Sequence, residues 1–140
     1  MLFTAGEVTY LRTQSLGRLA TIGGTGYPHC VPVRFTYNAD WDTIDITGRG
    51  LGSSRKYRDV RANGRVAFVV DDITPDSPPA FRGLEIRGEA EALPPAGGTG
   101  VDLIRIHPIR IIAWGIDSGW ESGAVGRTVG GTLADRGARR

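Results

Sequence analysis

The chain has 140 residues, long enough for one domain with a real core and too short for two; 40% of it is hydrophobic, 23% is charged, and the net charge is +2. So small a charge gives no case for a nucleic-acid partner, and the longest apolar stretch, residues 109–116, is broken by Arg110 and far too short to span a bilayer, so no membrane segment is expected. Cys30 is the only cysteine, which excludes an intrachain disulfide and a cysteine-based metal cluster, and His29 and His107 have no carboxylate at ligand spacing, so no metal is expected.

Residues 1–14 have no basic start, long apolar run or small-residue cleavage site, so no secretory signal is expected and the cytoplasm is the expected location. Thr4-Ala5-Gly6-Glu7 has the spacing of a capping box and predicts a helix over about 5–14, with Val8 and Leu11 on one face. Residues 19–22 read as a strand, the glycine-rich 23–28 as a turn, and 29–37 as a second strand in which Cys30 is a small apolar filler. Asn38-Ala39-Asp40 is turn chemistry, and Ile44 and Ile46 mark a third strand within 41–47.

Glycines at 48, 50 and 52 then break the meander. Ser53 or Ser54 is placed to cap a helix over 55–61, which has only Tyr57 and Val60 as an apolar face and should stop at Asn63-Gly64 with a left-handed cap. The run 65–70 predicts a strand buried on both faces, and in 84–91 Leu84, Ile86, Gly88 and Ala90 alternate with charged residues over another strand. After a loop at 94–100, residues 101–116 predict a last long strand, six in all. The glycine-rich sequence beyond Gly115 loses its periodicity and predicts a mobile tail.

The chemistry concentrates between Asp45 and Arg61. Residues 49–65 hold Arg49, Arg55, Lys56, Arg58, Arg61 and Arg65 against one acid, Asp59, and Lys56 is the only lysine in the chain. Free amides at a helix start, the positive end of the helix dipole, two hydroxyls and two adjacent cations make a phosphate site. The same segment also suits a solvated helix with a basic outer face, and the segment alone does not separate the two.

Leu19-Ala20-Thr21-Ile22 followed by Gly26-Tyr27-Pro28-His29-Cys30-Val31-Pro32-Val33-Arg34-Phe35 resembles the opening hairpin of the pyridoxamine-phosphate-oxidase-like split-barrel family. Thr47-Gly48-Arg49, Ser53-Ser54-Arg55-Lys56-Tyr57-Arg58 and residues 65–72 resemble its cofactor-phosphate segment and the next strand. Residues 82–91 and 106–115 are most similar to its coenzyme F420-dependent branch, and the resemblance covers about 4–116. It implies a mainly β fold, a six-stranded antiparallel FMN-binding-type split barrel over 1–118 followed by a flexible tail over 119–140. It also implies a homodimer with two cofactor sites in the grooves between subunits.

By that resemblance the cofactor phosphate lies near Thr47, Gly48, Ser53, Ser54, Arg55 and Lys56, and the ring against Val31, Pro32 and Val33. Trp114 and the turn after it are candidates for the wall that closes the site, as is Trp120; packing in the core is the other reading of Trp114. No catalytic acid or base is implied, because in hydride transfer the cofactor carries the hard chemistry. The implied function is a coenzyme F420-dependent oxidoreductase acting on an electron-poor small molecule such as an enone or a quinone-like ring. The alternatives are an FMN-binding oxidase or reductase and a non-catalytic flavin or deazaflavin carrier. The C-terminal arginine and histidine signature that pyridoxamine phosphate oxidases use on their substrate is missing, so that activity is not expected. A nucleic-acid module has little support, since Tyr57 is the only ring in the basic stretch.

Overall fold

The computed structural model describes residues 1–95 and 100–134; the expected 94–100 loop and 119–140 tail therefore lie partly outside the described residues. Helix α1 (Ala5–Thr13) leads into β1 (Leu16–Ile22), β2 (Pro28–Arg34), β3 (Thr36–Asn38) and β4 (Thr43–Ile46). A single 3-10 turn (Leu51–Ser53) precedes α2 (Arg55–Ala62), and then come β5 (Arg65–Ile73), β6 (Phe81–Leu93), β7 (Leu103–Trp114) and β8 (Val125–Thr128). The strands form one antiparallel sheet in the order β2-β1-β5-β6-β7-β4-β3, with β8 also paired to β7. The sheet curls into a half-barrel with an apolar interior, as expected for a split barrel.

Among the described residues eight strands stand where six were expected. The strand read over 29–37 breaks at Phe35, whose ring meets Phe68 edge-on at 5.1 Å in the core. Beyond that break the chain leaves β1 and pairs with β4 instead. Asn38 then closes the next turn by accepting from the amides of Asp40 and Trp41 at 3.0 and 3.2 Å, which shortens the strand expected over 41–47 to Thr43–Ile46. The eighth strand, β8, pairs with the outer half of β7 in a segment where no apolar stripe predicted one.

Register explains the core. Leu19, Phe68, Ile86 and Ile111 sit side by side across β1, β5, β6 and β7, and Ala90, Ile106 and Ile44 across β6, β7 and β4, all buried. Each of the leucine, isoleucine and phenylalanine side chains among them contributes about 1.5–3 kcal/mol of transfer free energy. Strand β5 alternates, with Val66, Phe68 and Val70 buried while Arg65 and Asp71 are exposed; the expectation of burial on both faces fails because only the concave face is covered. Gly17 lies under the Phe68 ring, where a Cβ would come within 2.2 Å of its Cζ.

The two helices close the half-barrel. The capping box on α1 is present: the Glu7 amide donates to Thr4 Oγ1 at 3.1 Å and the Thr4 amide to Glu7 Oε1 at 2.8 Å. Its Tyr10 hydroxyl donates to Asp72 Oδ1 at 2.7 Å, and burial followed by that bond pushes the phenol well above its ordinary range. Helix α2 buries Tyr57 and Val60, the two residues its sequence offered. It ends at Asn63 in extended backbone, not in the left-handed cap expected there, because the chain turns directly into β5.

Candidate functional site

Strand β2 is one free edge of the sheet, paired only to β1 among the described residues. Two prolines, Pro28 and Pro32, lie on it, a composition that suits an edge because proline cannot donate to a further strand. Val31 and Val33 share the concave face with Leu19 and Gly17, Val33 being buried and Val31 exposed. Pro32 points to the opposite, convex face beside Arg18 and Cys30. The three residues expected against one ring therefore divide between two faces. Cys30 is exposed opposite Ala20, so it is not the buried filler expected; the convex face of an edge strand has nothing packed over it in one chain.

A cavity lies at each end of β2. At the Arg34 end, one of about 400 Å³ is lined by Ser15, Arg34, Thr36, Thr47, Gly48 and Arg49. It takes in Thr47 and Gly48 from the expected site and adds Arg34 and two hydroxyl residues from outside it. At the His29 end, a cavity of about 290 Å³ is lined by Gly24, Thr25, His29, Arg55, Arg58 and Asp59. Five residues of extended chain put the two ends about 17 Å apart.

Helix α2 sets the second cavity. Ser54 is the cap: it accepts from the Tyr57 amide at 3.3 Å and donates to the Leu51 carbonyl at 2.6 Å. Ser53 instead donates back to Gly50 at 3.1 Å and belongs to the 3-10 turn. Arg55 is exposed and Lys56 half-buried on the first turn. Asp59, the one acid in the basic stretch, points inward: its Oδ2 accepts from Thr21 Oγ1 at 2.8 Å and meets His29 Nδ1 at 2.7 Å. Burial works against its charge, but the bonds from His29 and Thr21 outweigh it and hold the carboxyl below the ordinary carboxylate range. One carboxylate thereby ties α2 to both strands of the first hairpin.

Trp114 lies elsewhere in the chain. It sits on β7 opposite Gly83 and lines a cavity of about 190 Å³ with Glu7, Ile116 and Arg127. Trp120 stacks edge-on against Phe81 at 4.8 Å, both partly exposed. On the convex face a shallow cavity of about 250 Å³ has a floor of Ala20, Ile22, Pro28 and Ala67 and a rim of Arg65 and Arg87. Arg87 is held by Glu85 in its own strand at 3.2 Å. Sequence reasoning missed His29, Arg34, Arg58 and Asp59 as site residues. The one available signal was Asp59, a lone acid at i+4 from Arg55 on a short basic helix.

A sequence profile of the pyridoxamine 5'-phosphate oxidase family matches residues 4–114. Over its whole length the chain is 47% identical to a 5a,11a-dehydrotetracycline/5a,11a-dehydrooxytetracycline reductase of Streptomyces rimosus subsp. rimosus, with both chains covered in full. Among solved structures it is similar to the conserved hypothetical protein Rv2991 of Mycobacterium tuberculosis, with a TM-score of 0.67 at 22% identity over 92% of this chain and 93% of the other. It is also similar to an FAD-binding protein of Mycobacterium smegmatis, with a TM-score of 0.60 at 20% identity over 79% and 93%. At those identities the structural likenesses speak to the fold alone.

Proposed function

The chain belongs to the pyridoxamine 5'-phosphate oxidase family, and from that premise we propose that it is an oxidoreductase that uses the deazaflavin coenzyme F420 to reduce an electron-poor double bond in a small polycyclic molecule. The observation that carries this reading is the 47% identity, end to end, with a reductase of dehydrotetracyclines. The chain's own residues fit an anionic, ring-bearing cofactor. Arg55 and Lys56 offer two cations at a capped helix start, Thr47 and Gly48 open a cavity flanked by Arg34 and Arg49, and Val31 leaves an apolar shelf between.

When bound, reduced coenzyme F420 supplies a hydride to the substrate. The protein's part is to bind and orient. Arg55 and Lys56 would hold the phosphate, and the β2 shelf would hold the ring with one of its faces open to the substrate. A single chain leaves that shelf open to water. We propose that a second copy covers it as a homodimer, with Trp114 of the second copy as the far wall, because the free edge of β2 and the exposed Val31 would otherwise remain open to water. No helix among the described residues is long and apolar enough to cross a membrane.

The test is a titration of the purified protein with coenzyme F420 and with FMN, followed by fluorescence quenching. The reduced form of whichever binds is then mixed with 5a,11a-dehydrotetracycline and followed by absorbance and product mass. F420 binding and a product heavier by two hydrogens are expected. Tight FMN binding without F420 binding overturns the cofactor, and no turnover with either overturns the reductase.

A further inference from the structure

The cavity between the β1–β2 turn and α2 holds a histidine whose tautomer is fixed by a carboxylate. Asp59 is 8% exposed and ionised, so its Oδ2 can only accept, and His29 Nδ1 at 2.7 Å must carry the proton. That leaves Nε2 as the free position of a ring only partly covered by protein, with a side-chain exposure of 29%. Gly23 keeps room for it, since a Cβ there would lie 2.9 Å from Nε2. Arg55 and Arg58 line the same cavity.

We propose that this cavity is an oxyanion site, taking a phosphate or a carboxylate, and that the proton on His29 Nε2 gates it. The charged groups facing the ring are Asp59, Arg55 and Arg58, all from α2. Strand β1 contributes the neutral Thr21, and the 23–27 turn carries no charged side chain. Arg61 is turned away, with its guanidinium 5.1 Å from the Tyr57 ring centre. With His29 protonated, its charge offsets Asp59 and leaves both arginines free to attract an anion; Nε2 is then a donor. With His29 neutral, Nε2 presents a lone pair to the anion and the ring no longer offsets the charge of Asp59. Histidine is the side chain that makes this change between pH 5 and 8. Binding that requires the proton weakens by up to about tenfold for each pH unit above the titration. The cavity shares Arg55 with the phosphate site proposed above, so the inference rests on that placement, whereas the sulfate test requires neither bound cofactor nor turnover.

Sulfate is the probe, because its charge is constant over this range. Binding to the full chain is followed by NMR through the ring C–H signals of His29 and His107, from pH 5.5 to 8. Sulfate is expected to shift the His29 signals, with affinity falling at least tenfold across the range. Arg58→Ala should weaken sulfate at every pH and leave the pH dependence in place, while His29→Gln should abolish that dependence. A flat profile in the unmodified protein overturns the proposal without recourse to any variant, as does a shift confined to His107. Displacement by coenzyme F420 and FMN but not riboflavin assigns the site to a cofactor phosphate, and displacement by glutarate alone assigns it to a carboxylic acid. Sulfate displaced by none of these is an adventitious ion only, and the proposal fails.

Discussion

Arg127, near the end of the chain, closes over the fully buried carboxylate of Glu7 near its beginning. Nη1 donates to Oε2 at 2.8 Å, and Nη2 donates both to the second carboxylate oxygen and to the Leu2 carbonyl at 2.9 Å. This pair anchors β8 to α1. Arg127→Ala leaves a buried carboxylate without its cation, and a loss of about 2–4 kcal/mol is expected, toward the lower end because the guanidinium is partly exposed. Glu7→Gln combined with Arg127→Met should cost less than Arg127→Ala alone, since no charge is then stranded. Urea denaturation of the three proteins checks both statements; equal losses would refute the stranded-charge account.

Gly83 is the floor under Trp114. A Cβ at Gly83 would lie 2.3 Å from Trp114 Cζ2 and 2.9 Å from Asp71 Cβ, so Gly83→Val must push the indole off the sheet. Overpacking of this kind costs about 1–3 kcal/mol. Trp41 and Trp120 are already exposed, so a red shift in tryptophan emission on this substitution reports on Trp114. An unchanged spectrum would contradict the packing.

The pH dependence of stability should fall off on the acid side. Asp45, Asp59 and Asp72 all titrate below the ordinary 3.8 in the folded chain. For Asp45, burial opposes ionisation, but the bonds from Arg105, Asn38 and Thr43 outweigh it; for Asp72 the bonds from Arg82 come first. A carboxyl depressed in the folded state stabilises fully above its unfolded value and loses that contribution as pH falls through the folded one. Urea midpoints should therefore be level from about pH 5 upward and drop steeply below about pH 4. Asp45→Asn should lower the plateau and flatten part of the drop.

On the basic side the opposite sign applies. Burial, followed by the bond to Asp42, pushes the Tyr37 phenol up to about 12, and a group raised in this way stabilises the fold at lower pH and stops doing so as pH rises through that value. Absorbance titration at 295 nm should show the Tyr37 and Tyr10 steps only at about pH 12 or beyond, together with unfolding. Reversible ionisation of all four tyrosines near pH 10 would disprove it.

In the proposed site, Lys56→Ala, and Arg55→Ala more mildly, should weaken cofactor binding by about 1–3 kcal/mol. Isothermal titration with each cofactor measures these losses, and unchanged affinity in both variants removes the site from this helix.

Local signals in the sequence decided much of this protein. The Thr4–Glu7 capping box, the Ser54 cap on a helix with Tyr57 and Val60 as its buried side, and the alternation through Leu84, Ile86 and Ala90 are set by neighbours a few residues apart, and each appears in the structure. The concentration of cations over 49–65 was equally legible. What the sequence could not display were pairings across long stretches of chain. Nothing near Arg127 indicates Glu7, so β8 was invisible; nothing near Phe35 says that its ring is needed against Phe68, so the break between β2 and β3 was too. His29, Thr21 and Asp59 come from three elements and become one hydrogen-bonded group only when α2 folds back on the first hairpin. Periodicity and capping act through the local backbone and can be read in order, whereas a buried charge finds its partner only through the packing of the whole chain, and only the tertiary structure decides which partner that is.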